Sequence, residues 1–412
     1  MSPSPSTTRT RLLASPWARV AISMFCCGWG GNQFTPLLLM YRKLGGYSEV
    51  TVDAFLAAYV VGLVPGLLVA GSASDRYGRK PLMVIGAVAS LLASAVLAAG
   101  VTGPVPIYAG RLLSGIAVGI AMAVGTSWVK ELSQPPFDVT ADRGSGARRA
   151  SLALTAGFGL GAGVAGALAQ WAPWPMVTPY LVHMAVAVPG VVLLLRAAET
   201  RSRSEAPGGL LADLRVPAAG HRRFVRVIVP MAPWVFGSAG IAYAVTPQLV
   251  SAQLGDNALV YATGLTVLAL TTGVLVQPLA KRLDSTSTAR AIIVGMALVA
   301  AGMAVITATA AVRSPWLGMA GAIVLGAAYG VAVVSGLQEI QRLAHVDDLA
   351  GLTGVYYALS YLGFLLPAML AGLTAFGSYT VLLCVVTVLA LCCLAAITLA
   401  SRTHLPAESR TA

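Results

Sequence analysis

Charge is scarce in this chain: only 10% of its 412 residues are Asp, Glu, Lys or Arg, while 57% are hydrophobic. Soluble globular domains carry about a quarter charged residues and roughly half apolar ones, so this composition excludes an ordinary water-soluble fold. Cysteine is equally sparse. Cys26, Cys27, Cys384, Cys392 and Cys393 all lie inside apolar runs, which excludes a secreted disulfide framework and offers no zinc spacing; they read as packing residues, and no metal site is expected. Catalytic signatures are missing too. There is no His-Glu-x-x-His pair, no Gly-x-Ser-x-Gly elbow and no paired acids within the apolar runs, so an enzyme has little to stand on. The start, Met1 to Arg19, lacks the apolar core of a secretory signal, and the first apolar run is expected to be a retained helix. The net charge of +12 would suggest nucleic acid if the bases shared one wet face. They sit between apolar runs instead, and no nucleic-acid partner is expected.

What is present is a series of apolar runs of about twenty residues, the length that crosses a hydrocarbon core of roughly 30 Å. Twelve spans are expected, near 18–41, 50–71, 81–101, 105–130, 148–171, 175–196, 224–250, 257–281, 289–311, 315–339, 350–374 and 378–400. They must be helices, because an open strand edge in lipid leaves backbone groups unpaired and the alternation of a barrel is absent. Of the 27 Lys and Arg, only Arg42, Lys43 and Arg313 fall outside the cell and only Arg111 within a span if the N-terminus is cytoplasmic. That asymmetry places both termini in the cytoplasm of a plasma-membrane protein. The expected organisation is an N-terminal tail (1–17), a six-helix bundle (18–196), a cytoplasmic linker rich in Arg, Pro and Gly (197–223), a second six-helix bundle (224–400) and a C-terminal tail (401–412).

The halves read as copies. Thr35-Pro36 recurs as Thr246-Pro247, and Gly115-x3-Gly119 recurs at the same offset as Gly326-x3-Gly330. Asp75 has a counterpart in Asp284, and Gly157-x8-Gly166 is echoed by Gly363-x8-Gly372. Parallel repeats about an axis along the membrane normal are one architecture of secondary transporters.

Between spans 2 and 3 the run Gly71-Ser-Ala-Ser-Asp75-Arg76-Tyr-Gly78-Arg79-Lys80 packs an acid, three bases and two glycines into ten residues. A basic turn alone explains Arg79 and Lys80, but not the acid beside them, which can cap the next helix or pair with an Arg as a breakable latch. The run resembles the signature G-x-x-x-D-R-x-G-R-[KR] of the major facilitator superfamily (MFS) in full. Twelve spans, a central basic loop and a six-plus-six repeat extend the resemblance over nearly the whole chain. It implies an all-α membrane protein with two six-helix halves related by pseudo-twofold symmetry. It also implies that this loop (Gly71, Asp75, Arg76, Gly78, Arg79, Lys80) gates alternating access. The second copy, Ala280 to Ser287, keeps Lys281, Arg282 and Asp284 but lacks the glycines, and a weaker latch is expected there.

Arg111 is a base well inside span 4, and a charge at that depth is a functional-site hypothesis by default. Asp53, near the outer end of span 2, is its expected partner, either in proton coupling or in a structural ion pair. The run Arg111-x3-Gly115-x3-Gly119 resembles the span 4 signature of the family's proton-coupled exporters, where the arginine is implicated in proton transfer. Span 5 holds Gly157, Gly159, Gly161, Ala162, Gly163, Ala165 and Gly166. This resembles the antiporter signature G-x-x-x-G-P-x-x-G-G, with Ala162 in place of Pro and Ala165 in place of Gly. Small residues at four-residue spacing also suit plain helix packing, and Gly115, Gly119, Gly157, Gly161 and Gly166 are expected to pack. His183 is a third candidate proton carrier, or else a satisfied core histidine. Family helices 1, 4, 7 and 10 line a central cavity, which places Asn32, Gln33, Tyr243, Gln248 and Tyr329 there by resemblance, with Tyr59 of span 2 added. Tyr356, Tyr357 and Tyr361 form an aromatic stripe read as core, and Pro36, Pro65, Pro189, Pro247 and Pro367 are expected to bend their spans.

The expected function is alternating-access transport, with proton-coupled export of small, largely apolar compounds as in multidrug efflux. A proton-linked importer of a small metabolite is the alternative. No cofactor is expected beyond a proton gradient. The expected partners are membrane lipid, a small-molecule substrate and protons, with the chain working as a monomer.

Overall fold

The computed structural model describes residues 15–142, 144–201, 216–285, 287–344 and 349–403, and every regular element among them is a helix. Ten helical stretches are long and apolar enough to cross a membrane. Two further crossings are masked by how the helices break and join. Span 1 runs as Pro16–Asn32, a 3₁₀ turn Thr35–Leu37 and a short helix Leu38–Gly45, none of them long enough alone. Conversely, the stretch Phe224–Arg282 has 59 residues and as one straight helix would reach about 90 Å, some three membrane cores. It turns back at Gly255, whose φ is +51°. On one side of that break Thr246 lies against Gly318; on the other, Tyr261 donates to the Pro315 carbonyl of the same helix, at 2.7 Å. Twelve crossings result.

Proline marks several irregularities. Pro36 sits in the 3₁₀ turn of span 1, and Pro367 follows a 3₁₀ turn, Leu362–Phe364, in span 11. Span 7 widens to a π-helical stretch Ile241–Val245 just before Pro247. Proline supplies no N–H, and Thr246 Oγ1 donates to the Ile241 carbonyl at 2.8 Å, repairing the ladder with a side chain. Pro65 and Pro189 lie inside unbroken helices.

The chain divides into two compact units: residues 1–40 with 58–214, and 41–57 with 215–412. The expected boundary placed 41–57 with the first half. The structure groups it with the second, where its polar side chains also bond. Arg42 and Asp53 meet Gln248, Lys43 meets Asp256, and Glu49 meets Tyr379. Residues 202–215 of the expected linker, and 404–412 of the tail, lie outside the described residues.

Each unit is knit by backbone close approach at the repeated glycines. In the first, a Cβ on Gly115 would stand 2.0 Å from the Tyr59 carbonyl oxygen, and one on Gly119 2.5 Å from that of Leu63. In the second, Gly326 and Gly330 would meet the carbonyls of Ala269 and Gly273 at 2.4 and 2.0 Å. Thus span 4 packs on span 2 as span 10 packs on span 8. Gly157 and Gly161 press on Phe25 and Trp29 of span 1, as Gly363 presses on Pro233 of span 7. The last echo stops there: Gly166 is buried, but Gly372 has open space around it. Outward-facing Val61, Ile85, Val385 and Leu389 give the helices an apolar surface suited to lipid. Cys384 and Cys392 are on that surface too and Cys393 partly so, which corrects their reading as packing residues; Cys26 and Cys27 are buried.

Candidate functional site

The Gly71–Lys80 run is a helix junction, not a loop with two tight glycines. Span 2 stays helical through Tyr77 and span 3 begins at Arg79. Gly71 lies within the helix with nothing close to it. Only Gly78 leaves the helix, at φ +101°, a conformation that favours glycine; a Cβ there would also stand 2.8 Å from Glu199 Oε2. That carboxylate replaces the missing cap of span 3. Glu199 Oε1 accepts the Arg79 N–H at 3.0 Å and Oε2 the Lys80 N–H at 2.9 Å, placing negative charge on the positive end of the helix.

Arg79 is the hub. Its side chain is 6% exposed, and Nη2 reaches Asp75 Oδ1 and Glu131 Oε1, both at 2.8 Å. Nη1 donates to Ser74 Oγ at 2.6 Å. Thr200 donates to Glu131, and Arg201 pairs with Asp75 at 2.9 Å. Arg76 is half-buried beside the junction, and Lys80 joins through its backbone. Sequence reasoning found Asp75 and Arg79 but missed Glu131 and Glu199. Both are acids at the end of an apolar span, which is the one signal that could have exposed them, since no spacing ties them to residue 79.

The second copy is built on different residues. Asp284 pairs with Arg342, Arg342 with Glu339 at 3.1 Å, and Glu339 with Arg223. Arg223 and Glu339 are 1% and 2% exposed, and Arg223 Nη1 also donates to the Ser401 and Thr403 carbonyls at 3.0 and 3.2 Å. The expectation of a weaker latch counted glycines. The structure supplies a buried pair instead, drawn from spans 7 and 10.

Arg111 and Asp53, expected to pair, are each engaged elsewhere. Arg111 is 1% exposed and lies between the rings of Phe34 and Tyr59, its guanidinium carbon 4.6 Å from each centroid, with Nη1 donating to the Gly31 carbonyl at 3.1 Å. Two π faces thus stabilise a cation held out of water. Asp53 is 0% exposed; its Oδ1 accepts from Gln248 Nε2 at 3.2 Å, and its Oδ2 is buried with no hydrogen-bond partner among the described residues.

His183 is fully buried and saturated. Nε2 faces the Cys26 carbonyl at 2.9 Å and must donate to it, which leaves Nδ1 to accept from Ser94 Oγ at 2.7 Å. Ser94 Oγ in turn accepts from Gln33 Nε2 at 2.9 Å. This chain suits a neutral imidazole that joins spans 1, 3 and 6.

The residues assigned to a cavity are mostly tied internally. Asn32 donates to the Phe158 carbonyl and accepts from Thr35; Gln33 holds Ser94; Tyr59 covers Arg111; Gln248 bridges Arg42 and Asp53. Tyr243 and Tyr329 join an aromatic cluster whose centre is Phe236, stacked on Tyr361 at 3.9 Å and on Phe364 at 5.1 Å. Tyr329 is only half-buried. Among the described residues no group of His, Cys, Asp or Glu is arranged to hold a metal.

Two units of six spans, repeated in their glycine packing and each carrying a charged junction after its second span, define a multi-pass helical membrane protein of duplicated design. The chain belongs to the Major Facilitator Superfamily, whose family model matches residues 20–366. That family and the relatives below point to a transporter and not to an enzyme. A gallate transporter of Pseudomonas putida is 33% identical over 129 residues, and a multidrug resistance protein MdtL of Klebsiella pneumoniae is 31% identical over 86. These matches cover 31% and 21% of this chain and 26% and 22% of those proteins, so the chain spans about a quarter of the length of the curated relatives it matches. Among solved structures, a POT family transporter in complex with 5-aminolevulinic acid aligns with TM-score 0.74 at 11% identity, covering 96% of each chain. A D-xylose-proton symporter aligns with TM-score 0.65 at 19% identity, covering 92% of this chain and 96% of that one. At those identities the likeness is one of fold.

Proposed function

We propose that this protein is a secondary active transporter working by alternating access, which exports small, largely apolar compounds in exchange for protons. Asp53 carries the proposal. It is an acid within a membrane span, fully buried, whose only hydrogen bond among the described residues comes from a neutral amide and whose second oxygen has no partner among them. A carboxylate in that setting is costly, whereas a carboxylic acid is not. A group that must gain and lose a proton in low dielectric is what proton coupling requires. Arg111, held between two rings, is a second buried charge of the spans, and the local match to multidrug resistance proteins supports export. In this reading the protein sits in the plasma membrane as a monomer, termini in the cytoplasm, driven by the proton gradient without a cofactor. The Asp75–Arg79–Glu131 junction opens and closes its cytoplasmic face.

The test is proton flux in liposomes carrying the purified protein, with chloramphenicol as the neutral probe compound. Chloramphenicol-dependent proton movement is expected, and Asp53→Asn abolishes it; flux equal in wild type and Asp53→Asn removes the coupling. The local match to a gallate transporter favours a second reading, proton-linked import of a small metabolite. Proton-driven accumulation of gallate by cells expressing the protein would establish it in place of export.

A further inference from the structure

Asp53 is not isolated among acids and bases. Arg42 Nη2 pairs with Glu49 Oε1 at 2.6 Å, while its Nη1 donates to Gln248 Oε1 at 3.4 Å. The same Gln248 donates through Nε2 to Asp53 Oδ1 at 3.2 Å. One amide therefore separates Arg42 from Asp53, and its two ends are oriented by the two side chains. Glu49 has a second partner, the Tyr379 hydroxyl, which donates to Oε2 at 3.1 Å. Glu49, Arg42 and Tyr379 are the titratable groups acting on Asp53 from its own helix, from the end of span 1 and from span 12. Lys43 and Asp256 form a separate pair at 2.9 Å, with both side chains largely exposed.

The charges close only in one way. With Asp53 protonated, Arg42 and Glu49 neutralise one another and every charge has its counter-ion. Once Asp53 ionises, two carboxylates share one guanidinium, and the newly formed anion is the more deeply buried. Glu49 can spare the arginine because it keeps the Tyr379 hydroxyl and is partly exposed, with 32% of its side chain open.

We propose that Arg42 is the positioning residue of the proton step: it pairs with Glu49 while Asp53 holds its proton, and moves to Asp53 when that proton leaves. In the step the O–H bond at Asp53 Oδ2 breaks, the proton passes to water, and the charge left behind is met by the guanidinium as Gln248 gives way. Loss of one proton thereby breaks two bonds at once, Arg42 to Glu49 and Gln248 to Asp53. The second of these ties residues 41–57 to span 7 within their unit, while the Tyr379–Glu49 bond to span 12 is kept. The proposal rests on the proton coupling argued above.

Infrared spectra of the full-length protein in lipid vesicles, taken from low to high pH, follow the C=O stretch of protonated carboxyls; the part removed by Asp53→Asn belongs to Asp53. Arg42→Gln is expected to hold that band to higher pH by about one unit or more, the order of effect of an opposite charge beside a carboxyl. Glu49→Gln, which frees Arg42, makes the band disappear at lower pH than in wild type, and Arg42→Lys returns it close to wild type. An Arg42–Glu49 pair that stays in place acts on Asp53 only from a distance, across Gln248, and would move the band by well under one unit in either variant. Bands titrating alike in wild type, Arg42→Gln and Glu49→Gln overturn the proposal, as does a band untouched by Asp53→Asn. Arg42→Lys and Glu49→Gln keep it testable if Arg42→Gln fails to elute as folded protein. A shifted band without chloramphenicol-dependent proton flux in wild type supports the switch and overturns proton-coupled export, whereas flux with an unmoved band overturns the switch alone.

Discussion

Arg223 and Glu339 form a pair withdrawn from water on both sides, and breaking such a pair leaves a buried charge without compensation. Arg223→Ala is expected to destabilise the protein by about 3 kcal/mol, the low end of the usual range because Arg342 still reaches Glu339. Arg223→Met combined with Glu339→Leu should recover most of that loss, as apolar replacement of buried pairs often does. Thermal unfolding in detergent, read on the single and double variants, checks both. His183 makes the opposite case for a charged role. Its ring nitrogens are both occupied in the neutral form, so His183→Gln should cost roughly 1–2 kcal/mol of stability through the broken chain to Ser94. It should leave compound-driven proton flux within about twofold of wild type if Asp53 carries the proton; a loss as complete as that of Asp53→Asn would transfer the proton to His183.

At the scale of elements, the repeated glycines make a sharp contrast. Gly115 and Gly330 face backbone carbonyls across their helix pairs, while Gly71 and Gly372 face open space. Gly115→Val and Gly330→Val should each abolish monodisperse protein on size exclusion, since no rotamer change can move a backbone; Gly71→Ala and Gly372→Ala should elute as wild type. Gly78→Ala combines a strained φ with displacement of Glu199, and should loosen the helix junction without unfolding either bundle, measurable as faster proteolysis near residue 78. The turn between spans 4 and 5 gives a pH-dependent case. Arg148, Ser145 and the Gly144 N–H hold the Asp142 carboxyl down to about 2, below its unfolded value of about 3.9. A depressed carboxylate contributes order that is present above the unfolded value and lost as pH falls through about 2. The Asp142 carboxyl carbon, followed by NMR, should titrate near that pH, and Arg148→Ala should return it toward the ordinary range.

The same elements show what the sequence made legible. Span number, helical class and the glycine contacts could be read because each is a local pattern: twenty apolar residues, or two glycines one turn apart. The break at Gly255 falls between the expected spans 224–250 and 257–281; the helical course of Gly71 to Tyr77 was harder, because apolar composition does not say where a helix stops. Of the candidate site, Asp75, Arg79, Arg111 and Asp53 stand out as charges in unusual places. Their partners do not. Glu199 meets Arg79 across 120 residues, and Gln248 meets Asp53 across 195; nothing local encodes such pairings. Phe34 and Tyr59 were invisible as partners of Arg111 because an aromatic residue in a membrane span looks like packing until a cation is found on its face.

At the scale of the whole molecule, the units are defined by packing and not by chain order. Residues 41–57 precede most of the first unit in sequence but belong to the second. This bears on fragment complementation. A chain severed within 202–215 would yield an N-terminal fragment carrying a segment whose hydrogen bonds lie in the C-terminal one. Arg42, Glu49 and Asp53 would then act as recognition groups between fragments. Co-expressed fragments should therefore recover chloramphenicol-dependent proton flux, and Gln248→Leu should weaken their co-purification more than it weakens expression of the uncut protein. A segment placed by its bonds rather than by its position in the chain would make two separately made halves choose each other.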